Sequence, residues 1–353
     1  MAMNSRLRQF KDLLERTIIP EHLPPEDAMP MFHKLYQMVD TITPSRLFRY
    51  RECSEVQIDA FDRDLIFVSS ADKFNDPYDC LLRFDKDFLF ESINRGASKE
   101  TIIELRDYLL QGNPMPEWLG RLYGEERAGL LRDTLMKASD DDIDAHNQEF
   151  ALSRSEFDSN VERLFANAVS YFRQNSHLAC FSETVKSVTM WSHYAKSHTG
   201  FVLEYDLRNL SIKCDHCCKR NGCVDRIVST LYPVLYTNVR YDATGFVDYY
   251  LGKSFSLTPT LEDTLFFKKA ALYKSPQWSY EKEWRLFLNK VGGTVGIPNL
   301  TVEIKPKAIY YGSAISSINK KILSTIAKEK GLMEYQMYID LQSEAYSMKY
   351  RKV

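Results

Sequence analysis

The sequence predicts an α+β protein, a β-rich body interrupted by a long helical stretch. Three observations carry this expectation. Short apolar runs bounded by turn residues lie on both sides of a middle region. That region, about 87–176, turns to helical periodicity instead. Beyond it, strand-like and helix-like segments alternate with no internal repeat and no Pro- or Ser-rich linker. The helical middle therefore reads as an insertion into one body, not as a separate module.

Residues 1 to about 42 divide into two helices at the breaker PEHLPPED, and 1–45 is expected to pack on the body formed by 46–353. RLFRY (46–50) and DLIFVSS (64–70) are strand-like. The clearest helix is 155–174, where Phe157, Val161, Leu164, Phe165, Ala168, Val169 and Phe172 form one apolar stripe. That stripe is expected to be buried; facing solvent, it would be the seat of a partner protein. The acidic run at 139–148 reads as a solvated surface. HLACFSE is strand-like, the segment from Thr184 to His198 is helical with Gly200 as its C-cap, and FVLEYDL is a strand. A Cys-rich turn insertion occupies 211–226, and RIVSTLYPVLYTNV gives one or two strands. A helix is expected from Thr260 to Lys274, then strands at SYEKEWRLFL (279–288) and AIYYG, a helix at 316–331, and terminal strands.

Composition narrows the function. Lys and Arg number 46 and Asp and Glu 48, a net charge of −2, so no overall basic field marks a nucleic-acid or membrane-surface protein. No window approaches a membrane span, and the N-terminus lacks the uninterrupted apolar core of a secretion signal. Seven cysteines without a secreted-scaffold pattern point to a reducing, cytoplasmic setting.

The segment SYEKEWRLFL poses the central question. On a strand, Glu281 and Glu283 share a face, and two adjacent carboxylates need a cation or a purpose. Arg285 falls on the same face, so a structural Glu281–Arg285–Glu283 ladder is one answer.

Two resemblances suggest another. FNDPYD (74–79), CFSE and MWSHYAKSHTGFVLEY (190–205) resemble a bacterial family known as a domain of unknown function, over roughly residues 46–290. More remotely, LFRY, then CFSE–helix–GFVLEYDL, then SYEKEW and KPKAIYYG resemble the element order of ADP-ribosyltransferases of the Arg-Ser-Glu class, the cholera-toxin type. The second resemblance implies an ADP-ribosyltransferase-like fold of split mixed and antiparallel sheets. It implies NAD as substrate and a macromolecular acceptor, protein or nucleic acid, in the manner of a toxin or defence effector. Residue by residue it points to Arg49 (or Arg51) as the cation, Ser182 as the serine, and Glu281 and Glu283 as the carboxylate pair. The sequence departs from that class in having FSE instead of Ser-Thr-Ser, two arginines around Tyr50, and about 130 residues between the arginine and serine strands.

The chemistry would suit these residue types. Cleaving the nicotinamide–ribose bond builds positive charge on the ribose, which a carboxylate stabilises. This role falls to Glu283, with Ser182 holding it, and Glu281 orients or deprotonates the acceptor. An arginine fork holds the diphosphate. Tyr50, Tyr194 and Trp191 are the rings available to sandwich nicotinamide.

Competing readings stand beside these. The same fold without catalysis would be a binding or sensor module. A nucleotide hydrolase or nuclease would need Asp76, Asp79 and Glu183 as a metal cluster. FNDPYD has a turn reading, with Asp79 capping the next helix and Asn75 and Asp76 as lesser cleft candidates. Trp191, Tyr194 and Ala195 at helical spacing also suit a core. His193 and His198 lie off one helical face, and His198 suits a helix C-terminus. Cys214, Cys217, Cys218 and Cys223 offer half of a zinc pattern at cramped spacing, so a reduced turn is preferred over zinc.

Overall fold

The computed structural model describes residues 5–146, 153–213, 224–226, 230–252, 256–288 and 300–353. Helices α1 (Ser5–Arg16) and α2 (Pro25–Ile42) lead the chain, and α1 sinks Phe10 and Leu14 into the main core. Strand β1 (Leu47–Arg51), helix α3 (Glu55–Asp62) and strand β2 (Leu65–Ser70) follow. The helical region comprises α4 (Lys86–Gly96), α5 (Lys99–Leu110), α6 (Glu117–Tyr123), α7 (Glu125–Leu135), α8 (Asp140–His146) and α9 (Arg154–Asn175). Strand β3 (His177–Ser182), helix α10 (Val188–Tyr194) and β4 (Phe201–Tyr205) return the chain to the sheet. Short strands β5 (Ser211–Lys213), β6 (Val224–Arg226), β7 (Leu231–Pro233) and β8 (Leu235–Tyr236) come next, then helices α11 (Thr244–Tyr250) and α12 (Phe266–Ala270). The chain ends with β9 (Tyr273–Lys274), β10 (Glu283–Phe287), β11 (Leu300–Glu303), β12 (Ala308–Tyr311), α13 (Ser317–Glu329), β13 (Met333–Tyr338) and β14 (Lys349–Lys352).

Ten of these strands make one mixed sheet, antiparallel except where β12 and β13 run parallel. Strand β3 is its pivot. One edge of β3 pairs with β10 along its length, Leu178 to Ser182 against Phe287 to Glu283. The opposite edge meets β2 only at His177 and Leu178, and β1 only at Ser182. The sheet thus has two wings, β7–β10–β3–β2–β11 and β1–β4–β12–β13–β14, joined at the single pair Phe48–Ser182. Between those points β1 and β3 diverge.

Helix α9 binds the helical region to the sheet. A Ser153–Glu156 capping box starts it. Phe157, Val161, Leu164 and Ala168 enter a core shared with Leu89, Ile102, Trp118 and Leu251, while Val169 and Phe172 enter the main core under the sheet. The stripe is buried within the chain itself, with Phe165 half-buried, so it is not a partner surface. Asp140–His146 of the acidic run form α8.

Several expectations shift. The segment 279–288 is not one strand. Pro276–Glu281 is a 3₁₀ turn, Lys282 is left-handed (φ 45°), and β10 begins at Glu283, because a Ser275-capped turn interrupts the extended backbone. The helix expected from Thr260 to Lys274 is confined to α12, and Lys274 lies in a strand. Gly200 does not cap α10. It lies where a Cβ would come within 2.1 Å of the Arg51 carbonyl, so glycine allows the chain to pass against β1. Lys196, Ser197 and His198 make the left-handed turn instead, tied by the amides of Ser197 and His198 to the Ser192 and Trp191 carbonyls. The four cysteines weighed for zinc lie outside the described residues. No helix among the described residues is long and apolar enough to cross a membrane.

Candidate functional site

The divergence of β1 from β3 opens a cleft of about 460 Å³. Its walls include Arg49, Tyr50 and Arg51 from β1, Ser182 from β3, Tyr194 from α10, Lys274, Glu281 and Glu283. The residues proposed from sequence for this site line it except Trp191 and the lesser candidate Asp76. Trp191 is fully buried, donates from Nε1 to the Val185 carbonyl at 2.7 Å, and packs edge-on to Tyr50. It cannot stack on a ligand in the cleft, because its helical position turns it into the core.

The two arginines share one face of β1, as alternate residues of a strand do. Arg49 bridges the gap in the sheet, donating to the Cys180 carbonyl at 3.1 Å and the Phe67 carbonyl at 2.8 Å. It supplies the hydrogen bonds that the separated strands cannot give each other. Arg51 is 6% exposed; its Nη1 donates to Gln57 at 2.6 Å and its Nη2 has no hydrogen-bond partner. Neither forms an ion pair with a carboxylate among the described residues. Burial pushes both guanidinium groups below the usual arginine range, and Arg49's charge adds to the effect on Arg51. Two cations short of counter-charge in a cleft wall make a place for an anion.

The opposite wall is a buried charge cluster. Lys274 Nζ lies 2.7 Å from Glu281, 2.9 Å from Glu283 and 3.3 Å from Asp79. Arg285, with no exposed surface, grips Glu283 through Nε at 2.8 Å and Asp79 through both terminal nitrogens, at 2.8 and 2.5 Å. The ladder expected from sequence is therefore different in composition: Arg285 pairs with Glu283 and Asp79, and Lys274 is the cation of Glu281. Burial alone would raise Glu283, but Arg285 and Lys274 outweigh it and hold this carboxyl well below the usual range. Glu281 goes the other way. Burial pushes it up, Glu283 adds to that, and Lys274 only partly offsets both. Three carboxylates against two cations leave one negative charge in excess when all are ionised.

Ser182 stands opposite Glu283 in the β3–β10 register but does not hold its carboxylate. Its hydroxyl donates to the Glu281 main-chain carbonyl at 2.6 Å, because the 3₁₀ turn brings that carbonyl to the strand end. Tyr194 donates to Glu281 Oε1 at 2.6 Å and accepts from Asn75 at 3.3 Å. Tyr50 donates to the Thr184 carbonyl. His193 lines the cleft, whereas His198 stacks on Trp191 and meets Ser192.

The FNDPYD segment has both roles weighed for it. Asp76 makes an Asx turn to the Tyr78 amide. Asp79 is not a helix cap, since Asp85 caps α4; it is the second carboxylate of Arg285. Asn75 and Asp79 line the cleft. The metal cluster of Asp76, Asp79 and Glu183 does not form: Asp79 is held by cations and Glu183 accepts from Trp284, and no His, Cys, Asp and Glu grouping suited to a metal occurs among the described residues. Sequence reasoning missed Lys274. The unexplained carboxylate pair demanded a cation, but nothing local distinguishes Lys274 from other lysines.

Fold and site together define an α+β protein in which a buried charge cluster shares a cleft with two arginines that have no carboxylate partner among the described residues. The model of a family described as Protein of unknown function (DUF2971) matches residues 190–286, which hold most of α10, β4, Lys274, Glu281, Glu283 and Arg285 but not the FNDPYD segment. No curated protein and no solved structure matches the chain.

Proposed function

We propose that the cleft binds NAD and that the protein is an ADP-ribosyltransferase acting on a macromolecular acceptor. The observation that carries this reading is the pair Arg49 and Arg51, without carboxylate partners among the described residues, lining one cleft with Glu281 and Glu283 of a cluster that has one negative charge in excess. The arginines suit a diphosphate, and the excess negative charge suits a ribose that becomes cationic. In this reaction the bond between ribose C1′ and the nicotinamide nitrogen breaks, and neutral nicotinamide leaves with the electron pair. An acceptor nucleophile then bonds to C1′ and gives its proton to a carboxylate.

The division of labour differs from the one the resemblance implies. Glu283 is neutralised by two cations, whereas Glu281 has only a share of Lys274. Glu281 is thus the carboxylate proposed to meet the ribose and the acceptor, and Glu283 holds the two cations. Tyr194 and Tyr50 are the rings offered to nicotinamide. The test is nicotinamide release from NAD, with and without cell lysate as a source of acceptor, beside NAD-induced thermal stabilisation. Stabilisation with release supports the transferase, and absence of both removes it. One observation favours a second reading, a nucleotide-binding sensor: the full neutralisation of Glu283 by Arg285 and Lys274. Stabilisation by NAD without release would select it.

A further inference from the structure

Among the described residues, Lys274 is the one group that reaches all three carboxylates of the cluster. It arrives from β9, a two-residue strand parallel to β8, and is 7% exposed. A lysine buried to this extent is costly unless its charge is matched. Its three short ion pairs come from separate segments: Asp79 after β2, Glu281 from the turn before β10, and Glu283 from β10 itself. The Trp278 ring lies 5.0 Å from Nζ.

We propose that Lys274 is a positioning residue that keeps Glu281 charged and aimed into the cleft. This rests on the reading of the cleft as a site where that carboxylate works. Glu281 is faced by Tyr194 from α10, Lys274 from β9, Tyr236 from β8, and Glu283 from β10; Tyr280 precedes it, and His193 lines the same cleft. In this company Tyr194 is a neutral donor, the Tyr236 hydroxyl accepts from the Glu283 amide, and Glu283 repels. Arg285 is already bound to Glu283 and Asp79. Lys274 alone forms an ion pair with Glu281 among the described residues, so losing it leaves the proton as the remaining way to neutralise that side chain. Glu283 would keep Arg285 and stay ionised.

The experiment compares wild type, Lys274→Met and Lys274→Arg by difference infrared spectroscopy across pH, each against its Glu281→Gln counterpart. The band followed is the carbonyl stretch of the protonated Glu281 carboxyl. In Lys274→Met its midpoint should rise by about one to three pH units, the usual effect of removing an opposite charge in contact. In Lys274→Arg it should stay near wild type. Should Lys274→Met fail to fold, Lys274→Met/Asp79→Asn restores the charge balance and should show the same rise. An unchanged midpoint in a folded variant overturns the proposal, since a merely structural lysine would not govern Glu281's proton. The infrared midpoint does not depend on turnover. A wild type inert toward NAD but showing this rise would leave the role of Lys274 standing and remove the transferase reading.

Discussion

Ser182 and Glu283 face each other across paired strands, yet the serine hydroxyl bonds the main-chain carbonyl of Glu281, 2.6 Å away. The serine thereby fixes the turn that carries the first carboxylate. Ser182→Ala leaves that buried carbonyl without its donor, at a cost of about 1–3 kcal/mol. It should lower the melting temperature and slow NAD cleavage together, while Ser182→Thr keeps the hydroxyl and restores part of both. Thermal unfolding and nicotinamide release on the same preparations check this.

Glu281 and Glu283 should separate chemistry from stability. Glu283→Gln strips Arg285 and Lys274 of a shared partner, and breaking a buried ion pair typically costs about 3–5 kcal/mol. Glu281→Gln should leave the fold intact and reduce NAD cleavage by about 10²- to 10³-fold. Denaturant unfolding and turnover measured on both variants decide between this order and its reverse.

Stability should respond to pH with opposite signs at the two carboxylates. Glu283 titrates below its unfolded range, so its contribution is present above the unfolded pKa of about 4.3 and is lost as pH falls through its folded value. Glu281 titrates above its unfolded range, so stability declines as pH rises through its folded value. Glu281→Gln should abolish that decline. Melting temperatures from mildly acidic to neutral pH, at constant ionic strength, measure it.

Arg51 should trade stability for binding. Its buried, half-satisfied guanidinium burdens the fold, so Arg51→Gln should unfold at the same or a higher temperature than wild type. If the cleft binds NAD as proposed, the same variant should show less thermal stabilisation by NAD or pyrophosphate than wild type. Arg49→Gln should instead destabilise, because Arg49 joins the Cys180 and Phe67 carbonyls across the gap in the sheet. Paired thermal-shift curves with and without ligand distinguish the two arginines.

Helix α9 joins the two large cores, so a cavity at its C-terminal end should be felt in both. Phe172→Ala should cost about 3–5 kcal/mol and shift one unfolding transition instead of creating a second. A calorimetric trace with two separated peaks would show that the helical region unfolds independently.

Elements whose periodicity is local were legible in the order of residues alone. The α9 stripe and the strands at β1 to β4 and β12 follow from residue type and spacing. That order also marked the carboxylate pair as something that needed an explanation. Tertiary structure decided the explanation. Alternation along a strand had put Glu281 beside Glu283, but a left-handed Lys282 separates them, and they converge because Lys274 draws both. Asp79 lies some two hundred positions from Arg285 and meets it through the fold alone. The reason is range: hydrophobic periodicity and capping act between residues a few positions apart, whereas a buried charge is satisfied by whichever opposite charge the packed chain brings within about 4 Å.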